Sequence, residues 1–392
     1  MSKIAFTKND NRWRVLKLLA VLVLAIAVIT ASIIAIYGLA GSGGAPDHYI
    51  PPAPIVPTPT PAPTPTPTPV STPEPTPEPT PTITNRIIID GDEIDAKSYG
   101  DLLPLSPILE QIQEAYPVDD DDKMVSLYYL AENLGLGVGY INNTFILSTT
   151  PATRIPILVY HHILPDELNT HFSTNAWTIS TENFARQMSY LRDNGFYTPT
   201  IDELEAFLFQ GRPLPQNSVI IHFDDGYYSN YVYAVPILRY YGFRAVLFPI
   251  TGDAEALGDI QPPLDYTALT RAAASTLFTD LDVFETASHS HALHNRVPDG
   301  TETMLVAAAG EDIVLDTLRS FEFVTNHRAY AYPLGMFNDT VIEALGMAGI
   351  TMGFTVIPGY VTAASDPFRL GRFTVYRETS MERFGNIVNG RG

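Results

Sequence analysis

Nearly half of the prolines in this chain lie in one short stretch, which limits where a packed core can form. Of the 33 prolines in 392 residues, 16 fall between Pro46 and Pro81, where they alternate mainly with Thr and Glu. Proline fixes φ and lacks a backbone N–H, so this composition favours extended polyproline II over a globular fold. Residues 40–84 are therefore predicted to be a Pro/Thr-rich disordered linker, interpreted as a stalk through a cell wall. A ligand for a proline-binding domain is the alternative.

An uncharged apolar run precedes the linker. Residues 18–39 contain no charged side chain and are long enough to cross a bilayer as one transmembrane helix. The Lys and Arg residues nearest to this run all precede it, and the next one along the chain is Arg86. The positive-inside rule therefore places residues 1–17 in the cytoplasm and the rest of the chain outside. The sequence predicts a single-pass protein of the cell membrane with an extracellular catalytic domain. A signal peptide cleaved near Ala40 is the alternative, and it exports the same residues.

Composition excludes several classes of protein. The chain has no cysteine, which rules out disulfide scaffolds, thiolate metal sites and cysteine nucleophiles. It has 43 acidic and 23 basic side chains, a formal net charge of −20. A body this acidic repels phosphate backbones, so no nucleic-acid partner is expected.

Residues 85–150 are predicted to form a small α+β module. A strand is expected at residues 86–91, a helix at 127–134 and a hairpin at 138–147. The acidic run at residues 119–122 is interpreted as a solvated loop, with a calcium site as the alternative, although calcium loops need spaced ligands.

The second half of this module resembles a known family. Residues 124–138 and 140–147 are similar to the domain named after the N-terminal region of copper amine oxidases. The resemblance implies no copper chemistry, because residues 85–150 contain no histidine.

From residue 154 onward, apolar runs rich in β-branched residues alternate with helical patterns, such as Phe184, Met188 and Leu191. This alternation is typical of an α/β domain with a mainly parallel sheet. Strands are predicted at residues 155–160, 218–223, 244–250, 283–287, 329–332, 350–356 and 369–376. Residues 151–392 are thus predicted to form a distorted (β/α) barrel of about seven parallel strands. In such barrels the chemistry lies at the C-terminal ends of the strands.

Two adjacent carboxylates end the second of these strands. The run Val-Ile-Ile-His-Phe-Asp-Asp-Gly places Asp224 and Asp225 directly before Gly226. Adjacent strand residues point to opposite sides, so one carboxylate can bind a metal while the other acts as a base. Asp-Asp-Gly is also good turn chemistry, so the motif alone leaves a structural role open.

Three histidines follow the fourth strand. Imidazole is the commonest neutral metal ligand, and His289 and His294 are spaced to fold back toward one ion. His291 is expected to point elsewhere. One carboxylate with two imidazoles leaves open positions for water and a substrate oxygen, as catalytic metal sites require.

Together these motifs resemble the NodB-type polysaccharide deacetylases of carbohydrate esterase family 4. The resemblance covers about residues 155–377 and rests on Asp-Asp-Gly at Asp224, Ser-His-Ser at Ser288, and Tyr-Ala-Tyr-Pro-Leu-Gly at Tyr330. The segment at residues 155–163 is similar to the subgroup that includes biofilm-polymer deacetylases.

This resemblance implies a role for each matching residue. Asp224 would be the general base, and Asp225, His289 and His294 would hold one divalent metal ion, which is most often zinc in the family. Leu334 would stabilise the oxyanion through its backbone N–H rather than its side chain.

Three positions depart from the family pattern. His222 stands where a small hydroxyl residue is usual. Ala331 stands where many members have an arginine, and Arg372 is predicted to supply that charge from an adjacent strand. The usual late histidine is missing, and His161 after the first strand is predicted to replace it as the general acid, because closing a barrel brings first and last strands together. His162 is the alternative.

We therefore expect a metal-dependent hydrolase that removes N-acetyl groups from an extracellular amino-sugar polymer, such as peptidoglycan or poly-N-acetylglucosamine. An O-acetyl esterase on a xylan-like polysaccharide is one alternative, and a catalytically silent carbohydrate-binding head is another. The complete set of two carboxylates and two imidazoles argues against silence. The loops at residues 164–177 and 251–266 are predicted to line the substrate groove.

Overall fold

The computed structural model describes residues 85–96, 98, 102–112 and 124–392. The predicted membrane span, the linker and the acidic loop at residues 119–122 lie outside this part of the chain. Among the helices within it, none is both long and apolar enough to cross a membrane.

The small module contains a four-stranded sheet and two helices. Its elements are β1 (Arg86–Ile89), β2 (Asp92–Ile94), β3 (Leu102–Pro104), α1 (Leu105–Ile112), β4 (Met124–Ser126), α2 (Leu127–Leu134), β5 (Gly137–Ile141) and β6 (Thr144–Ser148). The sheet order is β2-β1-β6-β5, and only β1 and β6 pair in parallel. The predicted strand, helix and hairpin are confirmed. The hairpin turns at Asn142 and Asn143, which both have positive φ, as a type I′ turn requires. The resemblance of this module to copper amine oxidases stays a prediction.

Strand β5 packs closely against the larger domain. Gly137 and Gly139 point the same way, and a Cβ on them would lie 2.4 Å from the Leu214 carbonyl oxygen and 2.5 Å from the Tyr197 ring. The Tyr140 N–H donates a hydrogen bond to Tyr197 Oη at 3.1 Å. The absence of side chains at these two positions therefore allows β5 to approach the backbone of Leu214 and the ring of Tyr197 closely.

The larger domain alternates strands and helices. Its elements are β7 (Ile157–Tyr160), β8 (His162–Leu164), β9 (Thr178–Ser180), α3 (Thr181–Asp193), α4 (Ile201–Gln210), β10 (Ile220–Asp225), α5 (Val235–Tyr241), β11 (Ala245–Pro249), α6 (Thr251–Leu257), β12 (Phe284–Thr286), α7 (Met304–Ala307), α8 (Gly310–Ser320), β13 (Ala329–Ala331), α9 (Asp339–Ala348), β14 (Met352–Phe354), β15 (Phe373–Thr374) and α10 (Met381–Val388). All seven predicted strands are present. The short parallel pair β8-β9 was not predicted.

Seven parallel strands surround the interior of this domain. One sheet has the order β12-β11-β10-β7-β15, and β13 and β14 form a second parallel pair. Parallel bridges from Ser288 to Tyr330 and from Phe354 to Leu370 join the two sheets. The predicted α/β fold with parallel strands is confirmed.

The first and last strands of the barrel are neighbours, as the sequence predicts. Phe373 and Thr374 of β15 lie opposite Leu158 and Val159 of β7. Strand β10 pairs with the other edge of β7. His161, directly after β7, is therefore carried at the same end of the barrel as the carboxylates that end β10.

Side chains alternate along β10. Ile221 and Phe223 pack in the apolar cluster that includes helix α3, whereas Ile220 belongs to the cluster that fills the barrel. His222 and Asp224 share the side of Ile220, because a strand repeats every two residues. The Asp224 carboxylate therefore lies inside the barrel, at the rim formed by the C-terminal ends of the strands.

Candidate active site

The three side chains predicted as metal ligands converge at the rim. Asp225, His289 and His294 offer ligand atoms that all lie within 4.8 Å of one another. Asp225 Oδ1 lies 3.5 Å from His289 Nε2 and 3.4 Å from His294 Nε2. Ligand atoms bound at about 2.0–2.1 Å to a tetrahedral ion are about 3.3 Å apart. The spacing of these atoms therefore fits a divalent metal.

Neighbouring groups direct these ligand atoms. His289 Nδ1 lies 2.8 Å from the Ala331 carbonyl oxygen, which can only accept, so Nδ1 carries the proton and Nε2 keeps its lone pair. His294 Nε2 is buried and has no hydrogen-bond partner within the described residues. Asp225 has a φ of 74°, which is uncommon outside glycine and turns its side chain away from the strand alternation. The lone pair of His289 Nε2 and the unpartnered His294 Nε2 lie beside the Asp225 carboxylate, and this arrangement suits a bound cation.

The protonation states also suit a metal. Burial raises the pKa of Asp225, but the adjacent His289 and His294 imidazoles outweigh that effect, so its pKa lies well below the usual value. Burial lowers the pKa of His294, which favours neutral imidazole. Arg271, which the sequence gave no reason to select, lies 3.5 Å from Asp225 Oδ2 and donates to the Asp225 carbonyl oxygen at 2.9 Å. The site thus offers one carboxylate anion and imidazole lone pairs.

Asp224 has a different partner from Asp225. Both of its oxygens accept hydrogen bonds from Arg372, each at 2.7 Å. Arg372 is fully buried, and its Nε donates to the Thr355 carbonyl oxygen at 2.8 Å. Burial raises the pKa of Asp224, yet the charges of Arg372 and His289 and the Arg372 hydrogen bonds bring it down to about 2. Asp224 is therefore ionised and held in one orientation, with the arginine supplied from the position that the sequence predicts.

The predicted catalytic and metal-binding side chains line one cavity of about 420 Å³. It contains His161, Asp224, Asp225, His289, His294 and Leu334. Arg372 lies behind it, under Asp224. Five side chains without a predicted catalytic or metal-binding role also line it: Asn175, Trp177, Tyr227, Tyr332 and Tyr376. Tyr227 follows Asp-Asp-Gly, Tyr332 lies in the Tyr-Ala-Tyr-Pro-Leu-Gly motif, and Asn175 and Trp177 lie in a predicted groove loop, so the sequence held a signal near each of them. Tyr376, at the end of the last predicted strand, had none.

His161 lies in this cavity with an unusual environment. Its Nδ1 is buried and has no hydrogen-bond partner in the part of the chain described. Burial lowers the pKa of His161, while the charges of Asp225 and Asp224 act against that shift. Both carboxylates therefore lie near enough to favour its protonated form.

The other two candidate histidines lie elsewhere. His162 is only 2 % exposed and packs against the rings of Tyr227 and Phe172, and burial lowers its pKa to about 4. His291 turns away from the metal group, with Nδ1 3.1 Å from Thr251 Oγ1 and Nε2 3.2 Å from Glu255 Oε2. His291 thus points away from Asp225, as predicted.

Leu334 has a backbone conformation that is rare for its residue type. Its φ is 53° and its ψ is 18°, in the left-handed region. A Cβ on the next residue, Gly335, would lie 2.2 Å from Val356 Cγ2, so the chain can pass Val356 only with glycine there. Strained backbone of this kind clusters at functional sites.

One of the two predicted groove loops reaches the cavity. Asn175 and Trp177 belong to the first loop, at residues 164–177. The prediction for residues 251–266 is not confirmed at this cavity, because Thr251–Leu257 forms helix α6 and its Gly252 N–H bonds to the His291 carbonyl oxygen.

Comparison with known proteins identifies the domain. The model of the family described as polysaccharide deacetylase matches residues 211–353. Residues 211–353 thus carry a polysaccharide deacetylase domain. The family resemblance and the enzyme class predicted from the sequence, a hydrolase of the deacetylase type, are confirmed.

The deacetylase domain is similar to curated and solved proteins. YxkH of Bacillus subtilis, also named as a polysaccharide deacetylase, is 26 % identical, over 62 % of this chain and 78 % of the relative. The poly-β-1,6-N-acetyl-D-glucosamine N-deacetylase of Staphylococcus aureus is 27 % identical, over 65 % of this chain and 83 % of the relative. The solved de-N-acetylase of Aggregatibacter actinomycetemcomitans has a TM-score of 0.51 at 23 % identity, covering 60 % of this chain and 99 % of that one. This last likeness supports the fold.

Proposed function

We propose that the protein is a metal-dependent N-deacetylase that acts on an extracellular amino-sugar polymer of the poly-N-acetylglucosamine or peptidoglycan type. The observation that carries this proposal is the pairing, within one cavity, of the Asp225, His289 and His294 group with the Arg372-bound Asp224. The name of the Staphylococcus aureus relative supports an amino-sugar polymer as the substrate class.

The residues divide the reaction between them. A divalent ion, zinc being the usual one in this family, held by Asp225, His289 and His294 would polarise the acetyl carbonyl and lower the pKa of a bound water. Asp224 is ionised and oriented by Arg372, so it accepts the proton of the attacking water. The backbone N–H of Leu334 donates to the carbonyl oxygen as negative charge develops there.

The leaving group needs a proton. The C–N bond of the acetamido group breaks as a C–O bond to water forms, which gives acetate and a free amine on the sugar. His161 protonates that nitrogen, since an amine leaves readily only once it is protonated. Burial lowers the pKa of His161, and the charges of Asp225 and Asp224 act against that shift, toward the protonated imidazole that this step requires.

The location of the protein is also proposed from its sequence. The apolar run at residues 18–39 anchors the chain in the cell membrane, and the proline-rich linker carries the deacetylase domain away from the bilayer toward wall polymer. Mass spectrometry of the mature protein tests the anchor, because a mature start near Gly41 would show a cleaved signal peptide instead.

One assay tests the proposed reaction. Purified full-length protein is loaded with Zn²⁺, and acetate release is measured on chitooligosaccharides, peptidoglycan and acetylxylan. We expect one metal ion per chain and acetate from an N-acetylated substrate. Release from acetylxylan alone would favour the esterase alternative, and release from none with no bound metal would favour a binding head.

A further inference from the structure

Two exposed aromatic rings form one side of the cavity. Trp177 is 49 % exposed and Tyr376 is 44 % exposed, although large aromatic side chains are mostly buried. Their ring centroids are 6.3 Å apart, and both rings line the cavity together with His161. The Trp177 ring is 6.4 Å from the His161 ring. An apolar surface therefore lies directly beside the proposed general acid.

The backbone around the two rings is fixed by hydrogen bonds. The Trp177 N–H donates to Asn175 Oδ1 at 2.8 Å. The N–H of Arg377, the residue after Tyr376, donates to the Ala176 carbonyl oxygen at 2.7 Å, which ties the two loops together. The rings are thus presented to solvent by an ordered surface, and a ligand that covers them does not have to order the loops first.

The proposed chemistry determines which part of a substrate meets these rings. The nitrogen that leaves must approach His161 to receive its proton. That nitrogen is bonded directly to the sugar ring, so the reacting sugar or its neighbour in the polymer lies beside Trp177. A pyranose with mostly equatorial substituents presents a face of C–H bonds, and such an apolar face matches the face of an aromatic ring.

We infer that Trp177 and Tyr376 form a sugar platform, which binds the C–H face of a pyranose ring of the polymer next to the leaving amine. This inference rests on the proposed function and adds how its substrate is held. The C–H face is the same before and after the acetyl group is removed. The platform therefore binds glucosamine oligomers as well as N-acetylglucosamine oligomers, and it makes ring-containing oligomers better substrates than acyclic N-acetyl amides.

A binding measurement tests the platform without relying on catalysis. The chain has two tryptophans, Trp13 and Trp177, so full-length protein with Trp13→Phe reports on Trp177 alone by fluorescence. Titration with tri-N-acetylchitotriose and with the glucosamine trimer should give a saturable change in emission for both. Adding Tyr376→Ala should weaken both affinities about tenfold, the loss of roughly 1.4 kcal/mol. Emission that does not respond to either trimer would overturn the inference.

Kinetics on N-acetylglucosamine hexamer provide the second readout. Trp177→Ala and Tyr376→Ala should raise KM about tenfold, with a smaller change in kcat and one bound Zn²⁺ retained, while Trp177→Phe should restore most of the affinity. Tyr240→Ala is the matched control, since Tyr240 is 75 % exposed and lies outside the cavity lining. A KM within twofold of wild type in both alanine variants would overturn the platform. Saturable trimer binding without any acetate release would instead count against the proposed reaction alone.

Discussion

Arg372 donates two hydrogen bonds to the carboxylate of Asp224, each 2.7 Å long, although 148 residues separate them in the chain. The planar guanidinium matches a carboxylate in this two-bond arrangement, and both side chains are buried. Because strand β15 closes the barrel against β7, the residue just before β15 lies inside the barrel, under the end of β10. The pair is therefore a product of barrel closure.

Removing the arginine should destabilise the protein strongly. Arg372→Met leaves the Asp224 carboxylate buried without its partner, which typically costs about 3–5 kcal/mol of unfolding free energy. The double variant Arg372→Met with Asp224→Asn should recover part of that loss, because the buried charge is removed. Urea unfolding measures both. Arg369→Met is the control: its ion pairs with Asp339 and Asp366 are exposed, so its effect should stay below about 1 kcal/mol.

Mutating Asp224 and Asp225 one at a time should distinguish the role of the base from that of the metal ligand. Asp224→Asn removes the base but none of the metal ligands, so it should keep bound Zn²⁺ and lose about 10²- to 10⁴-fold in acetate release. Asp225→Asn should lose the metal itself. Metal content and activity are measured on the same preparations. An empty site in Asp224→Asn would reverse the assignment of the two roles.

The strands and the grouping of Asp225, His289 and His294 were predictable because local signals specify them. Short apolar runs bounded by turns mark the barrel strands, and Asp225, His289 and His294 lie in motifs at strand ends. The closure of the barrel follows from the strand topology, so the positions of Arg372 and His161 near the site could be predicted from the sequence.

Other features of the site were beyond the sequence. Arg271 contacts Asp225 and Tyr376 lines the cavity, and both lie on loops where no periodicity indicates direction. The positive φ of Asp225 and Leu334 depends on the surrounding packing rather than on residue type, since both residue types usually avoid that region. The close approach of Gly137 to the barrel likewise depends on a contact between distant segments.

The close contact between Gly137 and the barrel predicts that a larger residue at this position destabilises the protein. A methyl group at Gly137 would lie 2.4 Å from a backbone oxygen of Leu214, so Gly137→Ala forces two backbones apart. We expect a loss of about 1–3 kcal/mol, as for other overpacked sites. Gly310→Ala is the matched control, because the nearest atom to its new methyl is 3.8 Å away and alanine favours a helix. Equal thermal unfolding midpoints for the two variants would contradict the predicted clash.

His162 should make stability fall in mild acid. Burial, assisted by the charge of Arg271, lowers its pKa in the folded protein to about 4, below the unfolded value of 6.5. The unfolded chain therefore binds the proton more readily between these values, and the stabilisation is complete above pH 6.5 and lost as pH falls toward 4. The loss from this group between pH 7 and pH 5 is about 2 kcal/mol.

His162→Gln tests this account. Glutamine does not titrate and keeps a polar group near Thr178 Oγ1, which lies 3.4 Å from His162 Nδ1. Urea unfolding at pH 7 and pH 5 should show a smaller difference in the variant than in the wild type. A variant that loses as much stability as the wild type over this range would assign the acid sensitivity to other buried groups, such as His222, whose pKa burial also lowers.

His161 should prove to be the general acid. It lines the cavity with Asp224, His289 and His294, and no histidine follows His327 in this sequence to take this role. His161→Ala should fold and bind Zn²⁺, yet lose about 10²- to 10⁴-fold in kcat, because the amine then leaves without a proton donor. A general acid works only while protonated, so the fall in wild-type activity at rising pH should be absent from the residual activity of the variant. His291→Ala and His162→Ala are the controls, and both should reduce kcat far less. If His162→Ala instead lost as much kcat as His161→Ala while keeping the metal, the proton donor would be His162.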